Sequence, residues 1–492
     1  MPRDTKTSLA LWERYGEYLL MAMPYCDELI ADAKGCMLKD VDGNEFLDLA
    51  AGQFCSLIGH NHPKLIAKLT DQLQRVLHIG TQFLSPVVME AAEKFADVAP
   101  GNLKRSLFLS TGTEANECAI SIAKMYTRKA GVVGFSRGYY GLSLTTKSLS
   151  RIFTERERHG DGPLVPSTYQ LITPYCFRCP ISAHYPECEL RCLQTSIENS
   201  ISGVDNLAAI IVEPVVSAGG MIIPPPGYLK QLKAFAHEHG ALLIMDEAQT
   251  GFGRTGKWFA AEHHEVEPDI LVVSKSAGGG FPVSGLITTA EIADRVAREG
   301  FVHLASHQSD PVAAAAVSAL IDVVREEGLV QAADTNGAYF FNCLRQLQDR
   351  HPLVADVRGQ GLMLAMELAD PGAAEPAGAE LAVAMMALCR DKGVHLTFTY
   401  FEPVLRFIPP LTISREQIDT AIAVLDGALS RTAQKDYSLD ELLPRNRFSR
   451  AFADNLGGKR TVKRLLSRLY ETSPQHWVEK LTEKSQKAGG NH

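Results

Sequence analysis

Through the middle of this chain, short runs of consecutive apolar residues alternate with longer stretches of helical period. The runs include Ser106-Leu-Phe-Leu109, Ala208-Ala-Ile-Ile-Val212, Leu242-Leu-Ile-Met245 and Ile270-Leu-Val-Val273. Runs this short and this continuously apolar suit strands covered on both faces, and their alternation with helices predicts an α/β architecture with a mainly parallel sheet. The pattern spans roughly residues 62–315. Upstream, residues 35–48 alternate apolar and polar positions around Asp42-Gly43-Asn44, which reads as a β-hairpin. Downstream, a long helical run starts near Pro311, and residues 354–367 and 394–413 read as a smaller α+β unit. The expected organisation is a large lobe, residues 62–315, inserted between residues 1–61 and 316–430 of a small lobe, with an extension over residues 431–492.

That extension is basic and compatible with a helix. It carries Arg445, Arg447, Arg450, Lys459, Arg460, Lys463, Arg464 and Arg468, with Leu465, Leu466 and Leu469 interleaved. It reads as an appendage packed on its own protomer or a neighbour with its charges solvated, or as a face for an anionic partner.

Composition narrows the class. A chain of 492 residues exceeds one typical core, and 46% apolar with 22% charged residues describes an ordinary globular enzyme. A net charge of −8 argues against a dedicated nucleic-acid binder. No uninterrupted apolar run approaches the ~18 residues of a spanning helix, so no membrane role is expected. Asp4, Glu13 and Glu17 interrupt the N-terminal apolar residues where a signal peptide would need a clean core, so a cytoplasmic location is expected. Six of the ten cysteines show no pairing logic and are expected as free thiols. The other four, Cys176, Cys179, Cys188 and Cys192, have a spacing open to zinc or an iron–sulfur centre, and the prolines around them suggest a compact surface loop without metal.

The chemistry concentrates at two strand ends. The apolar run ending at Met245 delivers Asp246, and the run ending at Val273 delivers Lys275 and then glycines, 29 residues after the aspartate. A lysine able to form a Schiff base and an acid able to keep a ring nitrogen protonated are what pyridoxal phosphate requires. Open α/β sheets bind ligands beyond the carboxyl ends of their strands, where both residues fall. Further upstream, Ser110-Thr-Gly-Thr-Glu-Ala-Asn-Glu117 follows a strand and opens a helix, offering N–H groups and a favourable dipole to a phosphate.

The run Asp246-Glu-Ala-Gln-Thr-Gly-Phe-Gly-Arg-Thr-Gly256, then Pro268-Asp-Ile and Ser274-Lys275 with the glycines behind it, resembles the signature of class III (omega-type) aminotransferases. The resemblance covers about residues 18–429 and implies the pyridoxal phosphate enzymes of fold type I, with a seven-stranded sheet in the large lobe. It further implies that Lys275 and Asp246 serve the cofactor, that Gly112 and Thr113 hold its phosphate, and that Tyr139 stacks on its ring. Tyr140 stands where the family has histidine. Ala248 would pack on the opposite ring face, Gln249 would hydrogen-bond the ring oxygen, and Arg406, in Arg406-Phe-Ile-Pro-Pro-Leu411, would clamp a substrate carboxylate. Ser306 matches a hydroxyl donated to the phosphate of a neighbouring subunit, which implies a homodimer or homotetramer with shared sites.

Within the family, Gln53 and His307-Gln-Ser-Asp310-Pro311 resemble the dialkylglycine decarboxylases, in which the Ser306 and Asp310 region frames an alkali-metal site. Ala218 departs from that branch, which has a second serine there, and also from members that handle ω-amines with a glutamate nearby. The expected activity is transfer of an amino group from an amino acid or amine to a small 2-oxo acid. The alternatives are decarboxylation-dependent transamination of 2,2-dialkylglycines, an amino-acid racemase, and a non-catalytic binding protein.

Overall fold

The computed structural model describes residues 3–150, 163–201, 204, 206–369, 380–399, 402–438 and 443–455. Its centre is a seven-stranded sheet in the order Leu103–Leu109, Ser284–Thr289, Ile270–Val273, Leu242–Asp246, Leu207–Val212, Gly131–Phe135 and Thr168–Leu171. Ser284–Thr289 runs antiparallel to both of its neighbours, while the other adjacent pairs are parallel. Leu207–Val212, Leu242–Asp246 and Ile270–Val273 are buried at every position, as strands covered by helices on both faces must be.

Helix Gly112–Thr127 lies against the sheet through Ala115, Cys118, Ala119, Ile122 and Ala123, a stripe at three- and four-residue spacing. Its N-cap is Thr111, whose side chain accepts from the Glu114 N–H at 3.3 Å. Helices Pro63–Arg75, Pro86–Val98 and Pro311–Glu326 each begin on proline, where the missing N–H costs nothing. The last of these is alanine-rich and buried along most of its length, because it packs against the other two.

Two four-stranded sheets complete the fold. In the first, Ile30–Lys34, Met37–Asp40 and Glu45–Asp48 form an antiparallel meander, and Val394–His395 joins it in parallel, Val394 opposite Leu47. The expected turn is present: Asp40 Oδ1 accepts from the Asp42 and Asn44 N–H groups at 3.0 and 2.7 Å, and Gly43 takes φ 88°. The second sheet is antiparallel, in the order Val354–Gln360, Met363–Leu368, Val404–Phe407, Thr397–Phe398.

Charged side chains tie this second sheet to the large one. Arg358 donates to the Gly220 carbonyl at 2.6 Å and pairs with the fully buried Glu367 at 2.8 Å, and Tyr175 and Arg178 also bond Glu367. Arg137 Nη1 reaches both oxygens of Glu402, at 2.7 and 2.6 Å.

From the C-terminal extension, residues 443–455 dock on the N-terminal segment. The Arg445 N–H donates to Asp27 Oδ1 at 2.8 Å, and Ser449 Oγ accepts from the Tyr25 N–H at 3.0 Å. The basic residues from Lys459 to Arg468 lie outside the described residues. Among the described residues no helix is long and apolar enough to cross a membrane. All ten cysteines are free, and Cys176, Cys179, Cys188 and Cys192 line one small cavity.

Candidate active site

The central strands end on acids. Asp246 closes the strand Leu242–Asp246, and Glu213 directly follows the adjacent strand Leu207–Val212. Both are buried. Asp246 Oδ1 accepts from the Ala248 N–H at 2.9 Å and Oδ2 from Asn116 Nδ2 at 2.7 Å; the same amide nitrogen donates to the Tyr140 carbonyl at 2.8 Å. Glu213 accepts from the N–H groups of Tyr139 and Ser217 at 2.8 and 3.3 Å.

Lys275 stands just beyond the strand Ile270–Val273, at the start of a single turn of 3₁₀ helix, with φ 26°. That is a costly backbone for a residue with a Cβ, and such strain concentrates at functional sites. Its ammonium acts electrostatically on Asp246, Glu213 and Cys55, so the fold gathers these side chains around it.

Burial raises the Asp246 carboxyl above its ordinary range, against the opposing pull of Lys275 and of the Asn116 and Ala248 hydrogen bonds. Burial, and then repulsion from Asp246, push Glu213 up to about 8. Glu247 is also raised, to about 7, by burial, but its oxygens take the Ala260 and Ala261 N–H groups and the Thr250 hydroxyl. Its work is structural.

The helix opening at Gly112 lies beside the lysine turn. A Cβ on Gly112 would meet Ser274 Cβ and Oγ at 3.1 Å, so glycine lets helix and turn approach closely. Thr113 Oγ1 accepts from the Leu142 N–H at 3.2 Å. Tyr139 is half-buried, its N–H on Glu213. Tyr140 is fully buried, its hydroxyl accepts from the Phe135 N–H at 3.0 Å, and side chains on Gly134 or Gly138 would strike its ring. It fills the space inside this turn.

Arg406 enters from the strand Val404–Phe407. Its guanidinium lies 4.7 Å from the Phe54 ring centroid, and Nη1 is 3.5 Å from Ser217 Oγ. Ala218, next to that serine, is buried. Phe54 belongs to a contorted segment in which Ala51, Gly52 and Phe54 all have positive φ. Asp48 anchors it by accepting the Ala50 and Gly52 N–H groups at 2.9 and 2.6 Å and His60 Nε2 at 2.8 Å. Gln53 is exposed in this protomer, as is Ser306. The two oxygens of Asp310 face His78 and His307.

Sequence reading did not single out Asn116, Glu213 as a carboxylate neighbour, Ser217, or the Asp48–His60 anchor. One signal was available for Asn116: it is a polar residue on the apolar stripe of its helix.

The site has groups that want a ligand. Gln249 Oε1 and Asn116 Oδ1 are buried and have no hydrogen-bond partner among the described residues, an arrangement that costs about 1–3 kcal/mol per group when nothing fills it. A flat aromatic group with a basic ring nitrogen, a hydroxyl and an aldehyde fits the acid, amides and amine gathered here, and its phosphate suits the helix N-terminus beside them.

Comparison with known proteins gives the same answer. Residues 23–429 match the family model described as aminotransferase class III. An uncharacterized aminotransferase of Schizosaccharomyces pombe is 38% identical over 418 residues, which cover 84% of this chain and 92% of that protein. The Escherichia coli 4-aminobutyrate aminotransferase GabT is 32% identical over 428 residues, 86% of this chain and 99% of the relative. The crystal structure of a thermostable (S)-enantioselective omega-transaminase from Thermomicrobium roseum superposes with a TM-score of 0.77 at 32% identity, covering 82% of this chain and 93% of that one. With a lysine and a raised acid at adjacent strand ends and a match along most of its length, the chain belongs to the class III aminotransferases and is an enzyme that transfers amino groups with pyridoxal phosphate.

Proposed function

We propose that the amino donor binds with its carboxylate on Arg406 and its amino group toward Lys275, and that a small 2-oxo acid such as pyruvate takes up the amino group in the second half of the cycle. The observation that carries this reading is Lys275 acting on the buried acids Asp246 and Glu213, with Arg406 beside a turn that offers a hydroxyl and an alanine. With alanine at position 218, the turn beside Arg406 adds no carboxylate of its own at that position. This favours α-amino acids over ω-amines such as 4-aminobutyrate, despite the likeness to GabT.

Pyridoxal phosphate, when bound, supplies an aldehyde that condenses with amines and a ring that accepts an electron pair. The chain's own residues do the rest. Asp246, held by Asn116 and the Ala248 N–H, would be the acid partner of the ring nitrogen. Lys275 would hold the aldehyde and would carry the proton at the donor's Cα. Gly112 and Thr113 would hold the phosphate, Tyr139 and Ala248 would cover the ring, and Gln249 would bond the ring oxygen. Gln53 lies beside the substrate carboxylate on the loop that carries Phe54.

The chain works as a homodimer or larger, with Ser306 completing a partner's phosphate site. Ser306 is exposed here, and so are Phe83, Leu84, Val302 and Leu304, at 64–80% of their surface. Large apolar side chains this exposed on two short stretches, one of them adjoining Ser306, suit contact with a second protomer. Lobe boundaries near residues 61, 315 and 430 fit the pairing of Val394 with Leu47.

The deciding experiment incubates purified enzyme with pyruvate and either a panel of α-amino acids or 2-aminoisobutyrate, and measures alanine and carbon dioxide. Alanine from ordinary donors without carbon dioxide from the dialkyl substrate is expected. Carbon dioxide released in step with alanine makes the enzyme a decarboxylating transaminase; inversion at Cα without consumption of pyruvate makes it a racemase. Lys275→Ala should lose at least ~10³-fold in turnover with its fold intact; full activity in that variant refutes the Schiff-base assignment.

A further inference from the structure

We infer that His78, His307 and Asp310 form a binding site for a divalent first-row transition ion of the zinc class. The ligand atoms of the three residues all lie within 4.8 Å of one another. His78 Nδ1 is 2.6 Å from Asp310 Oδ1, His307 Nδ1 is 2.5 Å from Asp310 Oδ2, and the two imidazole rings are 4.9 Å apart, centroid to centroid. Both histidines present the same ring nitrogen to one carboxylate, each to its own oxygen.

Asp310 also gives up its usual task. It is the N-cap of helix Pro311–Glu326, where an aspartate ordinarily accepts from the helix's own first N–H groups, yet its side chain makes no capping bond. The carboxylate has turned toward the imidazoles. Two imidazole nitrogens and a carboxylate oxygen are borderline ligands that select zinc, cobalt or nickel over alkali ions, which prefer all-oxygen cages. Bonds of about 2.0–2.1 Å to each ligand require the donors to separate modestly and any protons on the two Nδ1 atoms to leave. Open coordination positions remain on the protomer, where the His78 and His307 side chains are 43% and 65% accessible, and water or a group of the partner subunit can fill them.

The ion joins two segments far apart in sequence. His78 follows helix Pro63–Arg75, whereas His307 and Asp310 lie in the stretch that holds Ser306 and leads into helix Pro311–Glu326. Bound metal therefore pins that stretch to the body of the subunit, through residues that hold neither substrate nor the cofactor of their own protomer.

The test uses cofactor-loaded enzyme, stripped with EDTA and desalted, then dialysed to equilibrium against zinc at pH 7, with bound metal counted by mass spectrometry. One zinc per chain is expected to disappear in His78→Asn/His307→Asn, and His307→Asn alone, at the most exposed of the three residues, should weaken that zinc at least tenfold. Zinc held by cysteines elsewhere stays constant across the series, so the difference isolates this site. Zinc should also raise the melting temperature of the unsubstituted enzyme and not that of the double variant. Metal-free variants that melt with the unsubstituted protein rule out misfolding. Equal zinc content in all three proteins, or an equal melting shift, overturns the assignment and leaves two imidazole–carboxylate hydrogen bonds.

Discussion

At the scale of single residues, Arg406 is the sharpest discriminator between substrates. Its planar guanidinium can meet both oxygens of a carboxylate while stacking on Phe54, and lysine can do neither. Arg406→Lys should raise KM for amino-acid donors by about 10- to 100-fold, the equivalent of one charged hydrogen bond worth ~1.5–3 kcal/mol. Initial rates with a simple amine that lacks a carboxylate should barely change, and an equal loss for both donors would remove Arg406 from carboxylate recognition. Asp246, Lys275 and Arg406 could be read from the sequence because each sits at the end of a recognisable strand or beside a proline pair. Glu213 and Asn116 could not be weighed in that way. Their significance lies in what they touch, and their partners are 33 and 130 residues away along the chain, measured to Asp246. Tyr140 shows the converse: the sequence records only that it replaces the family's histidine, and burial gives it a role inside the turn.

At the scale of elements, the contorted segment 51–54 is held in place by Asp48. Three donors, the N–H groups of Ala50 and Gly52 and the ring of His60, converge on one fully buried carboxylate. Asp48→Ala leaves them unsatisfied, and at ~1–3 kcal/mol for each stranded group the variant should lose about 3 kcal/mol or more, read from urea unfolding. Its KM for amino-acid donors should rise as well, because Phe54 no longer supports Arg406. An unchanged unfolding midpoint would show that the segment holds its shape without this anchor. The hairpin at Asp42-Gly-Asn44 was plain in the sequence, since its turn chemistry is local. The antiparallel strand Ser284–Thr289 was not: nothing in its own residues records the direction of its neighbours, and strand–helix alternation alone suggests a parallel partner.

At the scale of the whole molecule, the buried acids under the site make stability depend on pH. Glu213 has an ordinary value of 4.5 and is raised to about 8 in the fold, so the folded protein holds a proton that the unfolded chain releases. This contribution is present below 4.5 and is lost progressively as pH rises to about 8. Melting of the cofactor-free enzyme should therefore decline across that window, and Glu213→Gln, which mimics the protonated acid, should flatten the decline; an identical slope in the variant would assign the proton elsewhere. The pairing of Val394 with Leu47 acts on a different clock. Residues 30–48 cannot complete their sheet until a strand nearly 350 residues downstream has been made, which at ~5–20 residues per second is roughly 20–70 s of synthesis. Throughout that interval the edge strand Glu45–Asp48 is an open template on the nascent chain. The enzyme should accordingly depend on chaperones during translation far more than its finished stability suggests.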